Sequence, residues 1–456
     1  MDELDLWLNK EEGNLLSDIA QLVEIESVSS QAEGKFPYGK NCGDALDRML
    51  LMGEKYGFQT YNCDGYCGRI SLGEADREIA VWGHIDVVPA GEGWEYEPFS
   101  CTRKGDFIIG RGVQDNKGPL VAVLYAMKYL KEKNLHLGAK ISLIFGCNEE
   151  KGMDDVTYYL AHQKAPDWSI VADCSFPVCH GEKGICCVYL KSDRLGESIL
   201  DLEGGSALNI VPSKARAIVR RIDTGETVCI EAEGVQGHAA YPEGTKNAIG
   251  VLCESLERLS IGPKEKRAAA FLKDICKDGY GYGFGITCED EVSGALTCNP
   301  GVICLRDECI YIGVDIRYPI TAKIDTILGK LKESAEKEGF KVIKAEDSPP
   351  YYMDLNHPLV VELMNAYREE TRDEKKAYIM GGGTYARKLP NAVGFGPGFP
   401  IDLEEFGFSK GHGGCHSADE AQSISSLKKA VRIYVNALQR LNKRIISLQD
   451  MNGRSK

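Results

Sequence analysis

Apolar residues recur along this chain with two different periods, and the pattern changes character twice. Near the start, Leu15, Ile19, Leu22, Val23 and Ile25 fall on one stripe of a helical wheel, so the first 30 residues are predicted to hold an amphipathic helix. A second helix is expected over 42–56. Short, continuously apolar runs then alternate with helical stretches. EIAVWG at 78–83, KISLIFG at 140–146 and WSIVA at 168–172 read as strands with no polar face. The stretch 117–131 reads as a helix apolar on most sides, with Pro119 tolerated in its first turn. Continuously apolar strands separated by helices indicate a mostly parallel sheet covered on both faces.

From about residue 184 the predicted strands are longer and alternate apolar with polar, at 215–222, 227–233, 296–305 and 309–317. Two helical stretches, near 246–259 and 324–338, interrupt them. This is the pattern of a separate α+β domain with an antiparallel sheet. After Ser348-Pro349-Pro350 the α/β pattern returns, with helices over 358–370 and 423–445 and a glycine-rich loop at Gly381, Gly382 and Gly383. The expectation is an α/β domain split in sequence into 1–183 and 350–456, with the α+β domain, 184–349, inserted between its halves.

Length and charge narrow the range of partners. At 456 residues the chain is long enough for more than one domain. Lys and Arg number 54 against 68 Asp and Glu, a formal charge of −14 with no basic run, which argues against nucleic acid. No run approaches 18 apolar residues, so a membrane partner is not expected. The N-terminus, MDELDLWLNKEEGNLL, lacks the basic start and apolar stretch of a signal peptide. The 17 cysteines are odd in number and include no C-x-x-C, which points to reduced thiols in the cytoplasm, most of them small buried apolar residues.

The chemistry gathers at the ends of the apolar strands. His84 and Asp86 follow the first, Glu149 and Glu150 the second, and Asp173 the third, while Asp115 precedes a helix start in GRGVQDNKG. In open α/β sheets, sites form at the carboxyl ends of strands. Imidazole and carboxylate groups converging there suit zinc or another divalent metal. His84, Asp115, Glu150 and Asp173 exceed the three ligands of a single catalytic zinc, and one further histidine would let them serve two ions if one carboxylate bridges. His412, separated from His416 by Gly413 and Gly414, reads as a loop residue, and His136, His162, His180 and His357 read as surface or packing residues. GYGYGFG near 280 has no phosphate-loop ending and reads as a surface loop. Cys415, beside His416, has no second feature to support a role.

HIDVVPAGEGWEYEPF, GRGVQDNKGP, NEEKGMDD, VADCSFPV, GHAAYPEGTKNAI, DIRYP, GGGTYAR and HSADE occur in this order. Together they resemble the di-zinc amidohydrolase family of dipeptidases, aminoacylases, desuccinylases and glutamate-releasing carboxypeptidases. The long insert, ALNIVPSKA and GGGTYAR are most similar to its bacterial, carnosinase-like (Xaa-His) dipeptidase branch. The resemblance implies a phosphorylase/hydrolase-like catalytic domain and a lid formed by the insert. It implies two Zn²⁺ per chain, with Mn²⁺ or Co²⁺ as alternatives: His84 and Asp173 on one ion, Glu150 and His416 on the other, and Asp115 bridging. It implies that Asp86 orients His84, that Glu149 is the general base, and that His238 donates to the oxyanion. Arg317, Gly381, Gly382, Gly383, Arg387 and Asn209 would bind the substrate, and the peptide bond between Asp115 and Asn116 would be cis. The expected reaction is hydrolysis of dipeptides with a free C-terminal carboxylate. Removal of an acyl or succinyl group from an amino acid is the alternative on the same site. The partner is a small peptide, and the long insert favours a monomer that completes its own site, with a homodimer as the alternative.

Overall fold

The computed structural model describes residues 2–453. They form two compact units. One comprises the residues up to Gly181, Met353–Tyr378 and those from Thr384 on; the other comprises Glu182–Tyr352 and Ile379–Gly383. The glycine-rich segment is thus part of the inserted unit, although it lies far from the rest of it in sequence.

The first unit is built on a sheet whose strands lie in the spatial order Gln59–Cys63, Cys67–Leu72, Lys140–Gly146, Glu78–His84, Trp168–Val171, Ala392–Phe395 and Val178–Glu182. Its central four strands are parallel. The flanking pairs are antiparallel, so the sheet is mixed as a whole. The first two strands could not be otherwise. Only three residues join them, with Asp64 at φ 50° and Gly65 at φ 78°, the left-handed turn that closes a hairpin. Every residue of Glu78–His84 is buried, as a strand covered on both faces requires. The helix Lys117–Glu132 packs against this sheet and is buried nearly all round, from Leu120 to Met127 without interruption. Each such fully buried Leu, Val or Met contributes about 1.5–3 kcal/mol. The helices Glu3–Val23 and Ile424–Gly453 pack on it in turn. The first is closed by a reciprocal cap in which the Asp2 carboxylate accepts the Asp5 N–H at 2.8 Å and Asp5 returns the bond at 3.3 Å. Parallel pairing places His84 level with Gly146 and Trp82 level with Val171, so the strand ends share one edge. Among the described residues no helix is long and apolar enough to cross a membrane.

The second unit is a seven-stranded antiparallel sheet in the order Thr227–Glu233, Lys214–Arg220, Ile199–Gly204, Thr297–Arg306, Cys309–Tyr318, Gly184–Ser192 and Phe340–Ser348. One of its faces packs apolar residues such as Val188, Leu190, Val314 and Ile316 against Leu252, Leu256, Phe271 and Leu331 of its helices. Three strands of this sheet, Gly184–Ser192, Ile199–Gly204 and Phe340–Ser348, and a helix, Pro263–Ile275, are additional to the sequence expectation. That helix starts with Pro at its first turn after Gly262, a start signal that marks it off from Ala248–Glu257. The GYGYGFG segment is also more than a surface loop. Phe284 is buried there, edge-on to Phe271 with ring centroids 5.7 Å apart.

Candidate functional site

The first unit brings together all five expected metal ligands. His84 ends its strand, Glu149 and Glu150 open the 3₁₀ turn Glu149–Lys151, and Asp173 lies two residues beyond Trp168–Val171. Asp115 precedes the helix Lys117–Glu132, and His416 stands in the loop before Ala421–Ser423 at φ 61°. Two sets of ligand atoms result, His84–Asp115–Asp173 and Asp115–Glu150–His416, each with its atoms within 4.8 Å of one another. Asp115 is common to both. Its Oδ1 lies 2.9 Å from His84 Nε2 and its Oδ2 lies 3.1 Å from His416 Nε2. His416 Nε2 is also 3.2 Å from Glu150 Oε1, and Asp173 Oδ2 is 3.7 Å from His84 Nε2. The peptide bond from Asp115 to Asn116 is cis.

Buried contacts hold these candidate ligands from behind. His84 Nδ1 lies 2.9 Å from the carbonyl of Asp86, which leaves Nε2 directed at Asp115. The Asp86 carboxylate is 3.4 Å from the same Nδ1 and also accepts the N–H groups of Glu149 and Glu150, at 3.2 and 3.1 Å. It therefore ties the first strand end to the second. Asn116 donates to Asp173 Oδ1 at 3.1 Å and to the Ala172 carbonyl at 2.6 Å, while its Oδ1 accepts the His84 N–H at 3.3 Å. A side chain at Gly83 would collide with that oxygen, 2.2 Å from the Cβ position.

Arg111, Asn116, Asp155, Tyr385 and Glu420 also support the site; none has an expected role from the sequence, although each lies inside a motif quoted above. Glu420 accepts N–H groups from Gly112, Gln114 and Asp115 at 2.8–3.0 Å and pairs with buried Arg111 at 2.6 Å, fixing the loop that presents Asp115. Asp155 accepts N–H groups from Cys147 and Asn148, both at 2.7 Å, and the Tyr385 hydroxyl at 2.5 Å. Arg387 closes the 3₁₀ turn Tyr385–Arg387 that carries this tyrosine. His412 is a loop residue as expected. Its Nδ1 meets Asp419 at 2.6 Å, and Asp419 accepts the N–H groups of Glu95 and Tyr96, closing the base of the His416 loop. The Cys415 thiol donates to Gln114 Oε1 at 2.8 Å and belongs to neither ligand set.

The electrostatics are those of an anionic pocket. Burial pushes Glu149 well up, reinforced by the charge of Asp173, and burial likewise raises Glu150 and Asp173 beside Asp115. Asp115 moves the other way: despite its burial, hydrogen bonds from His416 and His84 hold it below the carboxylate range. Hydrogen bonds to Asp115 and Glu150 push His416 up to about 10. Burial opposes the charge on His84, but Asp115 and Asp173 raise it well above its ordinary value. Carboxylates crowded to this degree call for cations, and two histidines with a shared carboxylate are a donor set that borderline divalent ions accept. The residues fit a metal pair.

The remaining expected residues, except Arg387, belong to the inserted unit. His238 is exposed at the end of the strand Gly237–His238, which pairs with Ile210–Val211 directly after Asn209. Arg317 is buried on Cys309–Tyr318, and its fork is already engaged. Nε and Nη2 donate to the two oxygens of Asp315 at 2.6 and 2.8 Å, and Nη1 donates to the Gly381 carbonyl at 3.1 Å. Gly381 in turn lies against Ala240, whose Cβ would be 2.8 Å from a Cβ at 381. Arg317→Ala would leave Asp315, 2% exposed, without its counter-charge. Breaking such a pair from one side costs about 3–5 kcal/mol, so urea unfolding should find this variant less stable by that order. A variant of wild-type stability would mean the pair is not maintained.

A family model described as Peptidase family M20/M25/M40 matches residues 80–440. "Putative dipeptidase YtjP" of Bacillus subtilis (strain 168) is 32% identical over 97% of this chain and 99% of its own length. Among solved structures, human carnosine dipeptidase 1 is similar with a TM-score of 0.62 at 13% identity, over 97% of this chain and 98% of that one. The Bacillus subtilis YXEP protein, described as a dinuclear metal binding peptidase, has a TM-score of 0.53 at 11% identity, over 95% and 99% of the two chains. At these identities the solved structures support the fold alone.

Proposed function

The chain belongs to peptidase family M20/M25/M40 and is a metallopeptidase, and on that premise we propose that it is a cytoplasmic dipeptidase working with two divalent ions, zinc first. The observation that carries this reading is the position of Asp115, with each carboxylate oxygen at a different histidine. His84 and Asp173 would complete one ion's ligands, and Glu150 and His416 the other's. Ions held there would supply Lewis acidity toward a carbonyl oxygen and would make water at the site more acidic. Glu149 takes the proton of the attacking water and delivers it to the leaving amine nitrogen. Its raised carboxyl suits it to hold that proton between the two steps. His238 donates an N–H to the oxyanion, and Asn209 contacts the substrate beside it.

In the inserted unit, the substrate's free carboxylate would be bound by the two N–H groups of Arg317 that Asp315 and Gly381 leave over and by backbone N–H groups of Gly381, Gly382 and Gly383, and in the first unit Arg387 is a further proposed substrate contact. A neutral end in that place forfeits charge-assisted bonds worth ~2–5 kcal/mol, so kcat/KM for a C-terminally amidated dipeptide should be lower by about 30-fold or more. Equal rates on a dipeptide and its amide would contradict carboxylate recognition. The function itself is tested by offering metal-replete protein a dipeptide library alongside N-acetyl and N-succinyl amino acids. Turnover confined to the acyl amino acids would overturn the dipeptidase assignment and leave the metal site standing.

A further inference from the structure

The face of the inserted unit's sheet opposite its apolar core is polar at its centre. Thr297 and Asn299 of Thr297–Arg306 stand opposite Arg317 and Asp315 of Cys309–Tyr318, while the intervening Cys298 and Ile316 enter the core. Asn299 is 4% exposed, and both hydrogens of its amide are committed. Nδ2 donates to the Leu208 carbonyl at 2.8 Å and to the Ile210 carbonyl at 2.9 Å, the two carbonyls that bracket Asn209. The orientation of this amide is fixed from the other side, where Asn247 Nδ2 donates to Asn299 Oδ1 at 3.4 Å and to the Pro300 carbonyl at 2.9 Å. Two residues along the strand, a Cβ at Gly301 would lie 2.4 Å from the Leu208 oxygen, so the 207–208 backbone rests directly on the strand.

The chain of contacts continues to His238. The Asn209 carbonyl accepts the Ala239 N–H at 2.9 Å, and Ile210 pairs with His238 in the two-stranded ribbon. An amide that grips the backbone on both sides of Asn209 therefore also sets the ribbon on which His238 stands.

We propose that Asn299 is a positioning residue of the peptidase reaction. It touches no reacting atom; it holds 208–210 and, through the ribbon, the backbone of His238. The proposal rests on the reading of His238 as that donor. Loss of the Asn299 amide leaves two carbonyls without their donor and releases Asn209 and His238 together.

The test is a double-mutant cycle of Asn299→Asp with His238→Ala, read as kcat and KM on one dipeptide with metal content and thermal melting alongside. Asp keeps the shape and the acceptor oxygen but removes both donors. In the wild-type background kcat should fall by roughly 10²-fold with KM changed less than about 3-fold, the signature of lost transition-state alignment. In the His238→Ala background the same change should cost less than about 5-fold, because the oxyanion donor is gone and only the hold on Asn209 is left to lose. Equal losses in both backgrounds, or an undiminished kcat, would overturn the proposal. Should the Asp variant fail to fold, Asn299→Ala runs through the same cycle with the same outcomes. A His238→Ala enzyme with wild-type kcat would instead remove the oxyanion reading itself. A protein that hydrolyses only acyl amino acids would remove the dipeptidase reading and leave the cycle to be run on that substrate.

Discussion

Glu149→Gln is expected to lower kcat by about 10²–10⁴-fold while the protein keeps its metal. The residue sits in the 3₁₀ turn at the strand end, next to the candidate ligand Glu150, yet it belongs to neither set of ligand atoms. Its backbone N–H is held by Asp86, a bond that Gln preserves, so the turn and the neighbouring ligand should stay in place. What the amide cannot do is accept a proton and return it. Glu150→Gln is the control, because Glu150 contacts His416 and should lose metal when neutralised. Elemental analysis and kcat on the two variants separate the roles. Metal lost from Glu149→Gln and kept by Glu150→Gln would reverse the two assignments.

Four of the five candidate ligands lie where a pattern ends, Asp115 at a helix start and the other three after strands. His84, Glu149, Glu150 and Asp173 follow strands with no polar face, and a strand buried on both sides must surface its chemistry at its carboxyl end. His416 had no such marker and depended on the HSADE motif. The supports were harder to read because their partners are distant in sequence. Glu420 grips Gly112, Gln114 and Asp115, and Tyr385 reaches Asp155, contacts that no local period encodes. A signal was nonetheless present: each is a polar residue inside a motif already singled out, and a buried carboxylate needs donors. The Arg317–Asp315 pair was open to local reasoning. Residues two apart on a strand share a face, so an Asp at that spacing is placed to meet the guanidinium. The inserted unit was read least completely because its apolar residues face only one side. Phe340–Ser348, with just Phe340 buried, alternates too weakly to separate from the helix before it. Pro263–Ile275 lies outside the expected helices, although Gly262-Pro263 is a start signal for it.

Removing the metal should abolish activity and lower the melting temperature by on the order of 10 °C. The argument starts from charge. Burial pushes Glu149 up, helped by the charges of Asp173, Glu150 and Asp115, and burial with the charge of Asp115 pushes up Glu150 and Asp173, a repulsion that cations relieve. A ligand held at a thousand times its Kd stabilises the folded state by about 4 kcal/mol, and for a large domain each kcal/mol moves Tm by roughly 2–4 °C. Chelation followed by a melt measures this, and adding back zinc, manganese or cobalt should restore both Tm and activity. The membership of Asp115 in both sets of ligand atoms makes a sharper prediction about stoichiometry. Asp173→Ala removes a carboxylate from the His84 set alone, so that variant should retain about one ion per chain. Asp115→Ala removes a carboxylate from both sets at once, and its metal content should fall toward zero with no Tm response to added zinc. If Asp115→Ala keeps one ion and Asp173→Ala keeps none, the carboxylate at 115 serves a single ion. A stripped protein with unchanged Tm and undiminished turnover would refute the metal site altogether.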